Sequence, residues 1–484
     1  MSLLREPAAH AAPIHFVTAA NWPALRETLD PAAAAHAQAC GFEPKPGHFL
    51  ILPGEPPRAL FAIEAEDAAK DLLRPGRLAA LLPAGLWRFA DAPHDAGLAA
   101  LSFLLSAYKF RRYKSGGAAA AAELCAPDGV DAARIERVAS AVALGRDLIN
   151  TPANDLGPAA LEAAALACAA QYQAQANVIR GEALLASGFP LIHAVGRAAA
   201  EPPRLVDFSW GDPDAPKVTL VGKGVCFDSG GLDVKPSAGM LLMKKDMGGA
   251  ATALALASMI MDAALPLRLR VILPIVENAI SAEAFRPGDV YPSRKGLTVE
   301  IGNTDAEGRL ILADALALAD EEAPELLIDF ATLTGAARVA LGPDLPPFYT
   351  ADDAFAQAVA DHAAAAQDPV WRMPLWDPYD AMLDSKVADL NNVGGGAFAG
   401  SITAALFLRR FVGRAKAWAH FDLYGWTPSA KPGKPEGGEI QAARLLYDLL
   451  EARFPPPHGQ RAARHVVAHA DEDEDELGAE DLSP

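Results

Sequence analysis

Asp228, Asp246, Asp305 and Glu307, accompanied by Lys223, Lys235 and Arg309, fall in three short segments of this 484-residue chain. The first is Gly222-Lys-Gly-Val-Cys-Phe-Asp-Ser-Gly-Gly231, directly after the apolar run Lys217 to Val221. The second contains Lys235, Met240, Met243, Lys244, Lys245 and Asp246 and leads into an apolar stretch from Met247. The third, Asn303-Thr-Asp-Ala-Glu-Gly-Arg-Leu310, follows the run Leu297 to Ile301 and opens a helical pattern at Leu310, Ala313, Leu316 and Ala317. Four carboxylates converging on one crevice would repel one another unless cations sat among them, and oxygen donors suit divalent ions. Two such ions about 3.5–4 Å apart, bridged by a carboxylate and a water, would acidify the water and polarise a carbonyl, which is what amide hydrolysis requires.

Each segment also has a plainer reading. The first could be a phosphate loop, a serine elbow or a turn. The Walker pattern fails for want of a Gly five residues before the Gly-Lys pair, and GxSxG fails because Phe227 precedes Asp228-Ser229. Asp246 stands where a helix N-cap would, a role worth about 1 kcal/mol. Asp305 and Glu307 could cap or charge a helix start, and Met240 and Met243 could be core. His465-Val-Val-Ala-His469 spaces two His one helical turn apart, but it lacks the Glu of HExxH and is read as incidental.

The elements that must position these residues follow from pattern. The first 131 residues hold strand-like runs such as His48 to Leu52 and Ala59 to Ile63 among Pro and Gly turns, a modest N-terminal α/β domain. A helical pattern from Ala132 through Arg146 leads to the turn Asn150-Thr-Pro-Ala-Asn154. Beyond it, runs at Lys217 to Val221, Leu267 to Val276, Leu297 to Ile301, Leu326 to Phe330 and Ala417 to Leu423 alternate with helical stretches. This predicts a larger C-terminal α/β domain, residues 132–454, with a mixed, largely parallel central sheet covered by helices and its site beyond the strands' carboxyl ends. Residues 455–484 end in DEDEDE and read as a disordered acidic tail.

Bulk properties narrow the classes. A hydrophobic content of 51% supplies a sizeable core. The net charge is −19, of which Asp471 to Asp481 carries eight acidic residues, and the remaining body is still acidic. That speaks against nucleic acid as a main partner. Cys40, Cys125, Cys168 and Cys226 show no CxxC spacing and read as small buried residues of a reducing compartment. The apolar run from Met247 to Met261 falls short of the roughly 20 residues that span a bilayer, so a cytoplasmic protein without membrane contact is expected.

Taken together, these blocks resemble the leucyl aminopeptidase family of dizinc peptidases. NTDAEGRL stands here as that family's signature octapeptide, and GKGVCFDSGGLDVK matches its GKGxxFDSGGxxxK segment. MKKDMGGAA, ADLNNVGGGAFAGSITAALFL, WAHFDLYG and RDLINTPANDLGP extend the match over roughly Arg146 to Phe454. It does not extend to a motif in the N-terminal domain, to Gly437–Gln441 or to the acidic tail.

The resemblance implies roles residue by residue. Asp228 and Glu307 would bridge two metal ions per subunit, Lys223 and Asp246 completing one site and Asp305 the other. The ions would be Zn or Mn, with Mg or Co possible in the looser site. Lys235 would polarise the scissile carbonyl, and Arg309 would hold a bicarbonate. Met243, Thr332, Leu333 and Gly335 would surround the substrate side chain. The implied activity is release of Leu-like N-terminal amino acids from peptides with a free amine, in a homohexamer. A scaffold or DNA-binding regulator is the rival reading, opposed by the intact residue set and the acidic charge; phosphate-ester hydrolysis would want more positive charge around the leaving group.

Overall fold

The computed structural model describes residues 3–456, apart from 67 and 117–119. The predicted tail therefore lies outside the described residues beyond Pro456, as does His465–His469.

The N-terminal region builds a five-stranded sheet in the order Phe49–Leu52, Arg58–Ala62, Ala12–Val17, Gly85–Phe89, Ala122–Leu124. Only the first pair is antiparallel. Helices Pro31–Ala39 and Ala96–Ala107 flank it, each opened by an Asp whose side chain accepts a backbone N–H, from Ala33 and Leu98 respectively.

The helix Ala132–Asn150 follows, capped by Asp131. Its buried Arg146 donates to Leu105 O, Gly433 O and Glu439 Oε2, each at 2.7 Å, and so ties the first region to the second.

The second region is organised by a nine-stranded mixed sheet. Along its path run Trp371–Arg372, Pro347–Tyr349, Trp418–Asp422, Leu326–Ala331, Lys217–Gly222, Arg268–Asn278, Arg204–Trp210 and Gln175–Arg180, with Gly224–Asp228 pairing beside Arg268–Asn278. The four central strands are parallel. Because helices cover both faces, Leu326–Ala331 is buried throughout and reads as a continuous apolar run rather than an alternation. Its buried Asp329 is satisfied by Trp418 Nε1 at 2.8 Å, with His420 Nδ1 at 2.6 Å, both on the paired strand.

The expected strand at Leu297–Ile301 forms as Thr298–Glu300, yet it lies outside the large sheet. It pairs instead with Val290–Pro292 and Leu390–Asn391 in a small sheet of its own. Cys40 departs from expectation too: it is exposed, while the other three cysteines are buried. Among the described residues no helix is long and apolar enough to cross a membrane.

Helix Gly248–Asp262 is buried along nearly its whole length. Small residues allow its close approach to the sheet: a Cβ on Gly249 would lie 2.1 Å from Phe330 O. Its first turn and that of helix Glu307–Asp320 both meet the carboxyl ends of the parallel strands, where Lys223 and Thr332 also emerge.

Candidate metal centre

Lys223 leaves the end of Lys217–Gly222 and is almost fully buried. Its Nζ donates to Asp246 Oδ1 and Thr332 O, both at 2.9 Å. It also lies 2.8 Å from Asp246 Oδ2 and 2.9 Å from Glu307 Oε1. Both oxygens are buried, and among the described residues it is the Lys223 ammonium that lies against them.

Asp246 is not the helix N-cap. Met247 holds that position without a side-chain bond, and Asp246 sits in the preceding 3₁₀ turn Met243–Met247. The turn directs its carboxylate inward, where Thr332 Oγ1 donates to Oδ1 at 2.8 Å.

Asp228 ends the short strand Gly224–Asp228. Its Oδ1 accepts from Gly230 N and from Asn278 Nδ2, both at 2.9 Å, and its Oδ2 lies 2.8 Å from Lys235 Nζ. Lys235 Nζ also contacts Asp305 Oδ1. Oxygens of Asp228, Asp305 and Glu307 lie within 4.8 Å of one another. Glu307 opens helix Glu307–Asp320, where the helix dipole favours an acid. Gly308 allows the close packing there, since a Cβ would come 2.6 Å from Lys223 Cε.

The electrostatics reflect this crowding. Burial, and then Asp228, push Asp305 up to about 6, and the same two causes raise Glu307 well above the usual carboxylate range. Burial opposes the charge of Lys223, but Asp246, Glu307 and Asp228 outweigh it and hold the ammonium above its ordinary range. Crowded, buried carboxylates are a donor set for a divalent cation. On these observations the residues fit a metal.

Arg309 is buried, and burial brings it down to about 10 against the pull of Glu307 and Asp422. Its Nη1 donates to Asn392 O at 2.7 Å, while Nε has no partner among the described residues.

Met243 is buried in the same turn as Asp246; Leu333 is partly buried and Gly335 exposed. Thr332 turns its hydroxyl to Asp246 rather than leaving it free. Leu333 N donates to Asp422 Oδ1 at 3.2 Å. Thr332, Leu333 and Gly335 thus stand beyond Leu326–Ala331, at the same edge as the carboxylates.

Asn278, Asp233, Thr304, Asn392 and Asp422 hold this site and were not singled out by type or spacing. Asp233, Thr304, Asn392 and Asp422 lie inside the family-like segments, and Asn278 ends an apolar strand, which is the signal that could have marked it.

Fold and site together define a two-domain α/β protein with an acidic, lysine-bearing cluster at the carboxyl edge of its main sheet. Residues 143–447 match the model of the cytosol aminopeptidase family catalytic domain, and residues 12–127 match that of the M17 aminopeptidase N-terminal domain. A probable cytosol aminopeptidase of Syntrophotalea carbinolica is 43% identical over 330 residues, 67% of this chain and 66% of the relative, so the match spans just under two thirds of that relative's length. The crystal structure of the Coxiella burnetii cytosol aminopeptidase is 45% identical, with a TM-score of 0.88 over 93% of this chain and 98% of that one. A bottromycin maturation enzyme solved in complex with Mn is 33% identical, with a TM-score of 0.83 over 92% of this chain and 100% of its own. The chain belongs to the cytosol aminopeptidase family.

Proposed function

We propose that the protein is a metal-dependent aminopeptidase that releases N-terminal amino acids, Leu-like residues preferred, from peptides with a free amine. The observation that carries this reading is the cluster of Asp228, Asp305 and Glu307, with oxygens within 4.8 Å of one another, beside Lys223 and Lys235. Asp228, Asp246, Asp305, Glu307 and Lys223 would hold two divalent ions, Zn or Mn, with Mg or Co possible in one site. Such ions supply charge that acidifies a water and polarises a carbonyl.

The chain's own groups do the rest. Lys235, only partly buried, can turn its ammonium from Asp228 and Asp305 to a substrate carbonyl and stabilise the developing oxyanion. Lys223 would ligate as the neutral amine, and a cation among Asp246, Glu307 and Asp228 would offset the negative charge that favours its ammonium form. Arg309, anchored by Asn392 O, would hold a bicarbonate. Met243, Thr332, Leu333 and Gly335 would line the side-chain pocket. The same reading takes residues 1–131 and 132–454 as the two domains, a homohexamer as the assembly and the cytoplasm as the location.

Exhaustive chelation, followed by elemental analysis and assay on Leu-anilide, tests it. Activity should vanish with the metal and return with Mn²⁺, Co²⁺ or Zn²⁺. Full activity in verified metal-free protein would overturn the reading.

A further inference from the structure

We propose that Asn392 is a positioning residue that sets the geometry of the loop bearing Asp305 and Glu307. It follows the two-residue strand Leu390–Asn391 and is fully buried. Its carboxamide spends its whole hydrogen-bonding capacity on this one loop. Oδ1 accepts from Gly302 N at 2.7 Å and Asn303 N at 3.2 Å. Nδ2 donates to Asn303 O at 2.8 Å and Ala306 O at 3.3 Å. These backbone groups bracket Asp305 and end immediately before Glu307.

The backbone of Asn392 completes the brace. Its N donates to Glu300 O at 2.9 Å, and its carbonyl accepts from Arg309 Nη1 at 2.7 Å. One residue therefore holds the strand before the loop, the loop, and the first turn of the helix after it.

Only a carboxamide suits the place. A carboxylate would set lone pairs against Asn303 O and Ala306 O, and an apolar side chain would leave two N–H and two C=O groups of the loop without this partner. A fully satisfied buried network holds one geometry. Metal coordination tolerates ligand distances only within about 0.2 Å, and groups that orient ligands typically contribute about 10–100-fold in affinity or activity.

The inference rests on the reading that Asp305 and Glu307 bind metal. The test uses full-length protein, wild type, Asn392→Ala and Asn392→Asp, each stripped of metal. Mn²⁺ is titrated by calorimetry, kcat and KM are measured across Mn²⁺ concentrations, and thermal melting is recorded without metal. Both variants should bind Mn²⁺ about 10–100-fold more weakly, melt below wild type yet still cooperatively without metal, and recover part of kcat at high Mn²⁺. If wild type binds Mn²⁺ and both variants bind it equally well, the positioning role is overturned. If both variants fail to fold without metal, Asn392 is a structural residue and the proposal falls as well. Absence of Mn²⁺ binding by wild type would instead overturn the metal reading itself, and this inference with it.

Discussion

Thr304 and Asp233 hold each other by reciprocal hydrogen bonds: Asp233 N donates to Thr304 Oγ1 at 2.8 Å, and Thr304 N donates to Asp233 Oδ2 at 2.7 Å. Thr304 Oγ1 also donates to Gly230 O at 2.6 Å. The pair joins the loop carrying Asp228 and Lys235 to the loop carrying Asp305 and Glu307, two segments about 70 residues apart in sequence.

Thr304→Val keeps the side chain's shape and removes every hydroxyl bond, a weaker one to Asp233 Oδ2 at 3.2 Å included. It should lower stability by about 1–3 kcal/mol, since Gly230 O and Asp233 N lose their partner, and turnover by about 10–100-fold, since Lys235 and Asp305 lose their relative placement. Thr304→Ser should restore most of both. Urea unfolding beside steady-state kinetics decides it, and wild-type turnover in Thr304→Val would show that the loops are placed without the latch.

The two lysines should fail differently. Lys223→Ala removes a proposed ligand and should empty one metal site, a defect that excess metal partly relieves. Lys235→Ala leaves every proposed ligand in place and should retain two ions per subunit, while turnover falls about 10²–10³-fold. Elemental analysis read beside kcat checks both, and loss of metal in Lys235→Ala alone would reverse the assignment.

Leu-amide and Met-amide should be hydrolysed and their N-acetyl forms should not, because the proposed substrate amine ligates metal. Comparable rates on blocked and free substrates, measured by product chromatography, would point to an endopeptidase or a general amidase.

Glu162 binds Arg180 and Arg204 from neighbouring strands, and its carboxyl is held below the usual range by Arg180 first, against burial, with Arg204 adding to the effect. A depressed carboxylate contributes stability that is present above its unfolded pKa, about 4.3, and is lost as pH falls through the folded value. Glu162→Gln should therefore cost about 1–3 kcal/mol at pH 7, with the difference from wild type shrinking below pH 4. Urea midpoints at the two pH values measure this, and a difference independent of pH would remove the ion pair as its cause.

Much of the site was legible because its chemistry is local. Lys223 and Asp228 share one short segment at a strand end, and Asp305, Glu307 and Arg309 share another at a helix start, so their types and spacing mark them without coordinates. The main strands were legible as well, since a sheet covered on both faces writes itself as apolar runs. Leu297–Ile301 misled for the same reason: periodicity reports burial, and it does not report which sheet a strand joins. Asp246 illustrates the limit at a single residue, where position relative to a helix suggested a cap and the 3₁₀ turn aimed the carboxylate at Lys223 instead.

The sequence by itself determined the family, the helix-covered sheet and the set of charged residues offered to a cation. Tertiary structure alone decided which groups hold them: Asn278 on Asp228, Asp233 on Thr304, and Asn392 on the loop before Glu307. Those partners lie 50, 71 and 83–92 residues from the groups they orient. Their side chains are ordinary Asn, Asp and Thr, and a hydrogen bond between distant segments leaves no periodic trace in the chain, because it depends on where the sheet brings the loops together.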